Sequence, residues 1–149
     1  MSLEGEIRDS LKQALKQRDE ARLSTLRLVL SEIKNAEIGQ RRGLNDDETL
    51  GIIGTQVKRH RESIELFKKG NRDDLVTQEE RELNILMEYL PRQMSREEIV
   101  NAAQQTIAEL GAKEIRDKGK VMSRLMPQLR GKADGKQVSD VVLELLTTG

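Results

Sequence analysis

The sequence is poorest in the residues that carry thiol, aromatic and imidazole chemistry. Its 149 residues include no cysteine, no tryptophan, one phenylalanine, one tyrosine and one histidine. The absence of cysteine excludes disulfide bonds and thiolate catalysis. Because Phe67 and Tyr89 are the only aromatic residues, a stacking platform for single-stranded nucleic acid is disfavoured, since such platforms use several exposed aromatic rings.

Long apolar segments are absent as well. No run approaches the roughly 18 apolar residues that a membrane-spanning helix needs. The chain begins MSLEGEIRD, which is acidic where a signal sequence would be basic and then apolar. The lack of cysteine is compatible with a reducing compartment. From these features we expect a cytoplasmic protein.

Helical periodicity dominates what is present. Apolar residues recur every three or four positions and no run alternates with a period of two, so the sequence predicts an all-α fold. Four helices are expected in the first part, over about residues 3–18, 19–38, 45–70 and 71–90, the last closed by Pro91. The third helix carries a regular apolar seam that requires a facing helix: Leu50, Ile53, Val57, His60, Ile64 and Phe67.

The second part predicts a small three-helix bundle. Ser95 and Glu98 have the spacing of a capping box at the start of the fifth helix, and Gly111 is placed to end that helix. Asp117 is expected to cap a sixth helix, which Pro127 should bend or split. Asp134 with Gln137 is expected to cap the last helix. These signals divide the chain into a helical amino-terminal domain, 1–91, and a three-helix tail domain, 95–149.

Positive charge is concentrated between Arg116 and Lys136. The chain has 26 basic and 26 acidic residues and no net charge, whereas this segment has seven basic residues and two acidic ones, a local charge of +5. Basic side chains beside glycines and helix starts suit a phosphate backbone, because they combine Coulomb attraction with backbone donors. A solvated helix face with ordinary helix caps explains the same pattern, so charge alone does not decide between the two interpretations.

No arrangement of catalytic or metal-ligating residues is evident. Ser24, Ser63 or Ser123 would need a base to act as a nucleophile, and the sole histidine lies on the apolar seam. Without a second histidine or any cysteine, His60 is interpreted as a core or boundary residue in preference to a metal ligand or base. We therefore expect no catalytic residue, no metal ligand and no cofactor.

Three segments resemble a known family: FKKGNRDDLV from Phe67, EYLPRQMSREEI from Glu88, and GKVMSRLMPQLRGKADGKQVSDVVLELL from Gly119. The resemblance is to the YqeY family, covers essentially the whole chain, and extends more loosely to the carboxy-terminal tail of the B subunit of the tRNA-dependent amidotransferase. It implies an all-helical fold with a three-helix tail. In the amidotransferase the tail contributes to holding tRNA, and nothing in this sequence corresponds to that enzyme's catalytic cradle or metal-binding body.

The residues that match the motifs of the tail are Gly119, Lys120, Met122, Gly131, Lys132, Ala133, Gly135, Lys136 and Val138. Lys120, Lys132 and Lys136 are assigned to phosphate contacts by this resemblance, and Met122 and Val138 to the core. With the charge pattern included, the candidate RNA-binding residues are Lys120, Arg124, Arg130, Gly131, Lys132, Gly135 and Lys136.

The leading functional hypothesis is a non-catalytic accessory protein that binds tRNA or another structured RNA. One alternative is a helical protein-interaction module that works beside a translation or amidotransferase partner and uses the seam from Leu50 to Phe67 as a groove or dimer face. A third is an amidotransferase-associated subunit, which would place the chain under the family label of a carbon–nitrogen ligase with glutamine as amide donor. We expect no activity from the chain alone.

Overall fold

The computed structural model describes residues 2–148, which are helical apart from short connections and contain no strand. The helices are α1 (Leu3–Gln17), α2 (Glu20–Gln40), α3 (Asp46–Lys69), α4 (Asp73–Met87), α5 (Arg96–Leu110), α6 (Lys118–Leu129) and α7 (Gly135–Thr148), with a 3₁₀ turn at Ile115–Asp117 before α6. The all-α prediction is confirmed. None of these helices combines the length and hydropathy that crossing a bilayer requires.

The chain forms two compact units, Met1–Leu90 and Pro91–Gly149. The first contains α1 to α4 and the second contains α5 to α7. Independent folding of each unit, which the term domain implies, stays a prediction for residues 1–91 and 95–149.

The first unit is built around a core of aliphatic side chains. α3 packs mainly against α4, and α1 packs mainly against α2. The seam of α3 lies inside this core, where Ile53 is fully buried and Val57 is 4% exposed. The core residues are Ile7, Leu26, Val29, Ile33, Ile53, Val57, Ile85 and Leu86. The facing helix that the seam required is therefore supplied by the same chain.

The second unit is a three-helix arrangement in which α5, α6 and α7 each pack against the other two. Its core contains no aromatic residue and consists of Ile99, Ala103, Val121, Leu125, Leu129, Val138, Val141, Val142 and Leu146. Met122 packs against this cluster at its edge. Val138 is fully buried, as the sequence predicted for a core position.

The same arrangement of three residues starts α3 and α5. Asn45 with Glu48, and Ser95 with Glu98, form complete capping boxes, which satisfy backbone N–H groups that a helix start leaves unpaired. An arginine six residues before each glutamate binds its carboxylate: Arg42 contacts Glu48 at 2.9 and 3.0 Å. Arg92 binds Glu98 in the same way, at 3.3 and 2.7 Å.

Three predicted helix boundaries need correction. Asp117 does not cap α6 with its side chain, because its carboxylate already accepts hydrogen bonds from the backbone N–H groups of Lys113 and Glu114 at 3.1 and 3.2 Å. α6 continues through Pro127 to Leu129, so the expected split does not occur. α2 includes Gly39 and ends at Gln40, which shortens the predicted loop.

Acid should weaken the fold through the two capping glutamates. Hydrogen bonds from Arg42 and from the backbone of Asn45 lower the pKa of Glu48 from 4.5 to about 2. Arg92 and then the backbone of Ser95 lower the pKa of Glu98 to about 2 in the same way. Because both folded values lie below the unfolded value, this stabilisation is complete above pH 4.5 and is lost as the pH falls through about 2.

We therefore expect Glu48→Gln and Glu98→Gln to lower the urea midpoint at pH 6 and to flatten its dependence on pH between 4.5 and 2. Circular dichroism at 222 nm measures both effects. Glu65→Gln, at an exposed position of α3, is the matched control and should keep the pH dependence of the parent chain. Equal pH dependence in all four proteins would contradict this role of the capping boxes.

Candidate nucleic-acid interface

All five candidate cations of the tail are exposed. Lys120 and Arg124 lie on α6, Arg130 follows its last residue, and Lys132 and Lys136 lie in the turn to α7 and in the first turn of α7. Val121, Leu125 and Leu129 are buried along one face of α6, because residues three and four apart share a face of a helix, and Lys120 and Arg124 lie outside that face. The exposure follows from the core of the second unit.

The first two cations share one surface depression. Lys120 and Arg124 are one helical turn apart and line it together with Leu110, Gly119 and Ser123. This basic depression is shallow and widely open to solvent, with a volume of about 640 Å³. A carboxylate lies at its edge, because Glu109 Oε2 is 3.8 Å from Arg124 Nη2. Both side chains of that pair are about half exposed, and a pair of this kind contributes little and is readily exchanged.

The remaining candidates form a second group, which we call the basic turn: Arg130, Gly131, Lys132, Gly135 and Lys136. Gly131 has φ of +79°, a conformation that costs an L-residue with a side chain about 1–2 kcal/mol. The carbonyl of Gly131 accepts a 2.8 Å hydrogen bond from Gln93 Nε2, and the carbonyl of Lys132 accepts one of 2.8 Å from the Met94 N–H. The turn is therefore held against the segment before α5.

Backbone donors in the basic turn are partly used inside the protein. The N–H groups of Lys132 and Ala133 both donate to the carbonyl of Leu129, at 2.9 and 3.1 Å. A phosphate at this turn cannot use these donors without breaking internal hydrogen bonds. The backbone N–H groups still expected to contact a phosphate are therefore those at the start of α7. Any further attraction would come mainly from the lysine side chains.

The structure divides the candidate residues into two groups. Ten residues of nearly helical chain separate Lys120 from Arg130, which is roughly 15 Å at 1.5 Å per residue. Arg130, Lys132 and Lys136 form no ion pair with any residue that the structure describes. Arg116, which the sequence counted in the +5 segment, is paired with Glu114, so it contributes less positive potential than the count implies.

Asp117 also lowers the potential near the basic depression. The backbone N–H groups of Lys113 and Glu114, and to a smaller extent the charges of Lys120 and Arg116, hold the pKa of Asp117 below its usual value. Its carboxylate is therefore ionised at neutral pH. The basic turn likewise contains one carboxylate, that of Asp134 between Lys132 and Lys136.

Three contributors to this surface escaped the sequence analysis. Glu109 comes from α5, and Gln93 and Met94 anchor the turn from the segment before α5. No periodicity predicts such contacts, because they join residues far apart in the chain. The one available signal was the EYLPRQMSREEI motif, which contains Gln93 and Met94.

Metal-ligating side chains meet in the first unit. His60 on α3 lies beside Glu79 and Glu82 of α4, and one donor atom from each lies within 4.8 Å of the others. The His60 side chain is 13% exposed, so it occupies the boundary position that the sequence allowed. The two glutamates beside it were not predicted.

Taken together, these features define a class: a small all-α protein with a four-helix unit and a three-helix tail whose α6–α7 turn is basic and firmly anchored. The family model described as Yqey-like protein matches residues 4–146. The chain therefore belongs to the YqeY-like family. The family that the tail motifs indicated is confirmed.

Curated relatives carry a mitochondrial name. The protein of Pyrenophora tritici-repentis named "Altered inheritance of mitochondria protein 41, mitochondrial" is 30% identical over 146 residues, which cover 94% of this chain and 78% of the relative. The relative of the same name from Vanderwaltozyma polyspora is 38% identical over 85 residues, 56% of this chain and 46% of its own length. An uncharacterized protein of Schizosaccharomyces pombe is 32% identical over 94 residues, 63% of this chain and 76% of the relative.

These names overturn the prediction of a cytoplasmic protein. The relatives are named as mitochondrial, whereas the prediction depended on the absence of cysteine and on the acidic first residues. Neither feature is specific to one compartment, because a chain without cysteine is indifferent to the redox state of its surroundings.

The two glycines of the basic turn should differ in their effect on stability. Gly131→Ala should lower the free energy of unfolding by about 1 kcal/mol, because φ is positive there. Gly135→Ala should leave it unchanged or raise it by up to about 1 kcal/mol, since Gly135 is the first residue of α7 and an added Cβ would meet only Met126 Cε at 3.8 Å. Urea unfolding of both variants measures the difference. A loss at Gly135 equal to that at Gly131 would refute this assignment.

Proposed function

We propose that this protein binds tRNA or another structured RNA through the phosphate backbone, as a non-catalytic accessory protein. The basic turn is the main contact and the basic depression is the second. The observation that carries the proposal is the exposure of Arg130, Lys132 and Lys136 without ion-pair partners among the described residues, on a turn that two hydrogen bonds hold against the segment before α5. A fixed turn loses little conformational freedom on binding.

Backbone recognition fits this surface better than base recognition does. Stacking on exposed bases requires aromatic side chains, and Phe67 and Tyr89, the two that the chain has, both lie in the first unit. Lysine and arginine at the tail supply point charges that attract phosphates without selecting a sequence. The compartment in the relatives' names is compatible with this ligand, since mitochondria contain tRNA.

The resemblance of the tail to the amidotransferase B subunit supports the same class of ligand. It also suggests an amidotransferase or translation protein as a partner of the RNA-bound form. The seam from Leu50 to Phe67 is not available to such a partner, because α4 covers it within the chain. A protein partner would have to use another surface.

Removal of the tail lysines should lower the affinity for tRNA and should also make that affinity less dependent on salt concentration. The triple variant Lys120→Ala, Lys132→Ala and Lys136→Ala is compared with the parent in gel-shift titrations against tRNA at several salt concentrations. The logarithmic slope of affinity against salt should decrease by roughly 0.7 to 0.9 for each lysine that contacts a phosphate.

The matched control removes three exposed lysines of the first unit, Lys12→Ala, Lys16→Ala and Lys58→Ala, with the same change in net charge. This control should retain the parent slope to a much greater extent. The proposal is wrong if the parent fails to bind tRNA at low salt, or if both triple variants lose the same affinity. Capture of a protein partner that resists nuclease would favour the interaction-module alternative.

A further inference from the structure

His60, Glu79 and Glu82 form a compact group of three donor atoms between α3 and α4. His60 Nδ1 is hydrogen-bonded to Glu79 Oε2 and lies 3.7 Å from Glu82 Oε2. Glu79 and Glu82 are three residues apart, so both reach the same side of α4. The three side chains are between 13% and 22% exposed, which shields the group from bulk water while leaving a path to it.

The spacing suits a transition-metal ion. Ligand atoms about 2.0–2.2 Å from a tetrahedral zinc are roughly 3.3–3.6 Å apart, close to the 3.7 Å between His60 Nδ1 and Glu82 Oε2. The hydrogen-bonded atoms of His60 and Glu79 are closer together and must separate to admit the ion. An imidazole with two carboxylates favours Zn²⁺ or a similar divalent ion over Mg²⁺ and Ca²⁺, which prefer oxygen ligands alone. Two carboxylates also balance the charge of a divalent cation.

A buried amide side chain, Gln56, lies on the same face of α3 as His60. It lies one helical turn before His60, is 3% exposed, and neither of its amide atoms has a hydrogen-bond partner among the described residues. The other buried polar side chains, Thr25, Thr49 and Thr106, each donate to a carbonyl four residues earlier. A buried amide without partners is costly, and water carried by a hydrated ion would satisfy it.

We propose that His60, Glu79 and Glu82 bind one divalent transition-metal ion, with Zn²⁺ the best match. His60 provides Nδ1, the glutamates provide one oxygen each, and a fourth position is left for water, as in other zinc sites with three protein ligands. The ion replaces the hydrogen bond between His60 and Glu79. It also links α3 to α4, the pair of helices with the most extensive contact in the first unit.

The sole histidine of the chain makes a direct test possible. The full chain, treated with a chelator and then dialysed, is titrated with ZnCl₂ by calorimetry, and the imidazole nitrogens are followed by ¹H–¹⁵N correlation. We expect one ion per chain and a shift of the His60 Nδ1 resonance at the same stoichiometry. Saturable binding that leaves the His60 nitrogens unchanged would overturn the proposed site, as would the absence of binding.

Variants separate this site from the surface carboxylates. Glu79→Gln and Glu82→Gln should each weaken binding by at least the 10- to 100-fold typical of altered metal surroundings, and His60→Gln should do the same. Glu80→Gln, an exposed neighbour on α4 with the same change in charge, is the control and should bind as the parent does. Equal losses in Glu79→Gln and Glu80→Gln would contradict the proposal, and circular dichroism verifies that each variant is folded.

Discussion

The burial of aliphatic stripes is the interaction on which the rest of this structure depends. Almost no aromatic residue is available, so both cores are assembled from leucine, isoleucine, valine and alanine, and each fully buried large aliphatic side chain contributes about 1.5–3 kcal/mol. In the tail, burial of Val121, Leu125 and Leu129 determines which side of α6 faces solvent. The exposure of Lys120 and Arg124 is a consequence of that packing. The charged side chains occupy the helix faces that do not pack into the core.

Local features of the fold could be predicted from the sequence, and contacts between helices could not. The capping box at Ser95 and the left-handed cap at Gly111 are present as expected, because each depends on residues within one helical turn. Asp117 was assigned wrongly because its carboxylate can accept from N–H groups on either side of it, and the bonds to Lys113 and Glu114 prevail. Sequence spacing does not distinguish these two geometries.

The candidate sites show the same division. Local charge and the family motifs identified the tail cations as candidates, but they did not predict that Glu109 would approach Arg124 or that Gln93 would hold the basic turn. His60 looked like an isolated histidine because its neighbours Glu79 and Glu82 belong to another helix. The compartment was predicted wrongly for a different reason, because the composition of a folded helical domain does not specify where the domain resides.

Zero net charge restricts how the proposed RNA contact can work. Because 26 basic and 26 acidic residues cancel, the field beyond a Debye length of about 8 Å is weak, and attraction acts mainly once the basic turn is near a phosphate. Along α6, Arg130 lies roughly 9 Å from Arg124 and roughly 15 Å from Lys120, so both groups engage only if two phosphates are held at a matching distance. A structured RNA presents such a pair already ordered, whereas a flexible strand loses conformational entropy to match it. The proposed contact would therefore favour folded RNA over single strands even without base recognition.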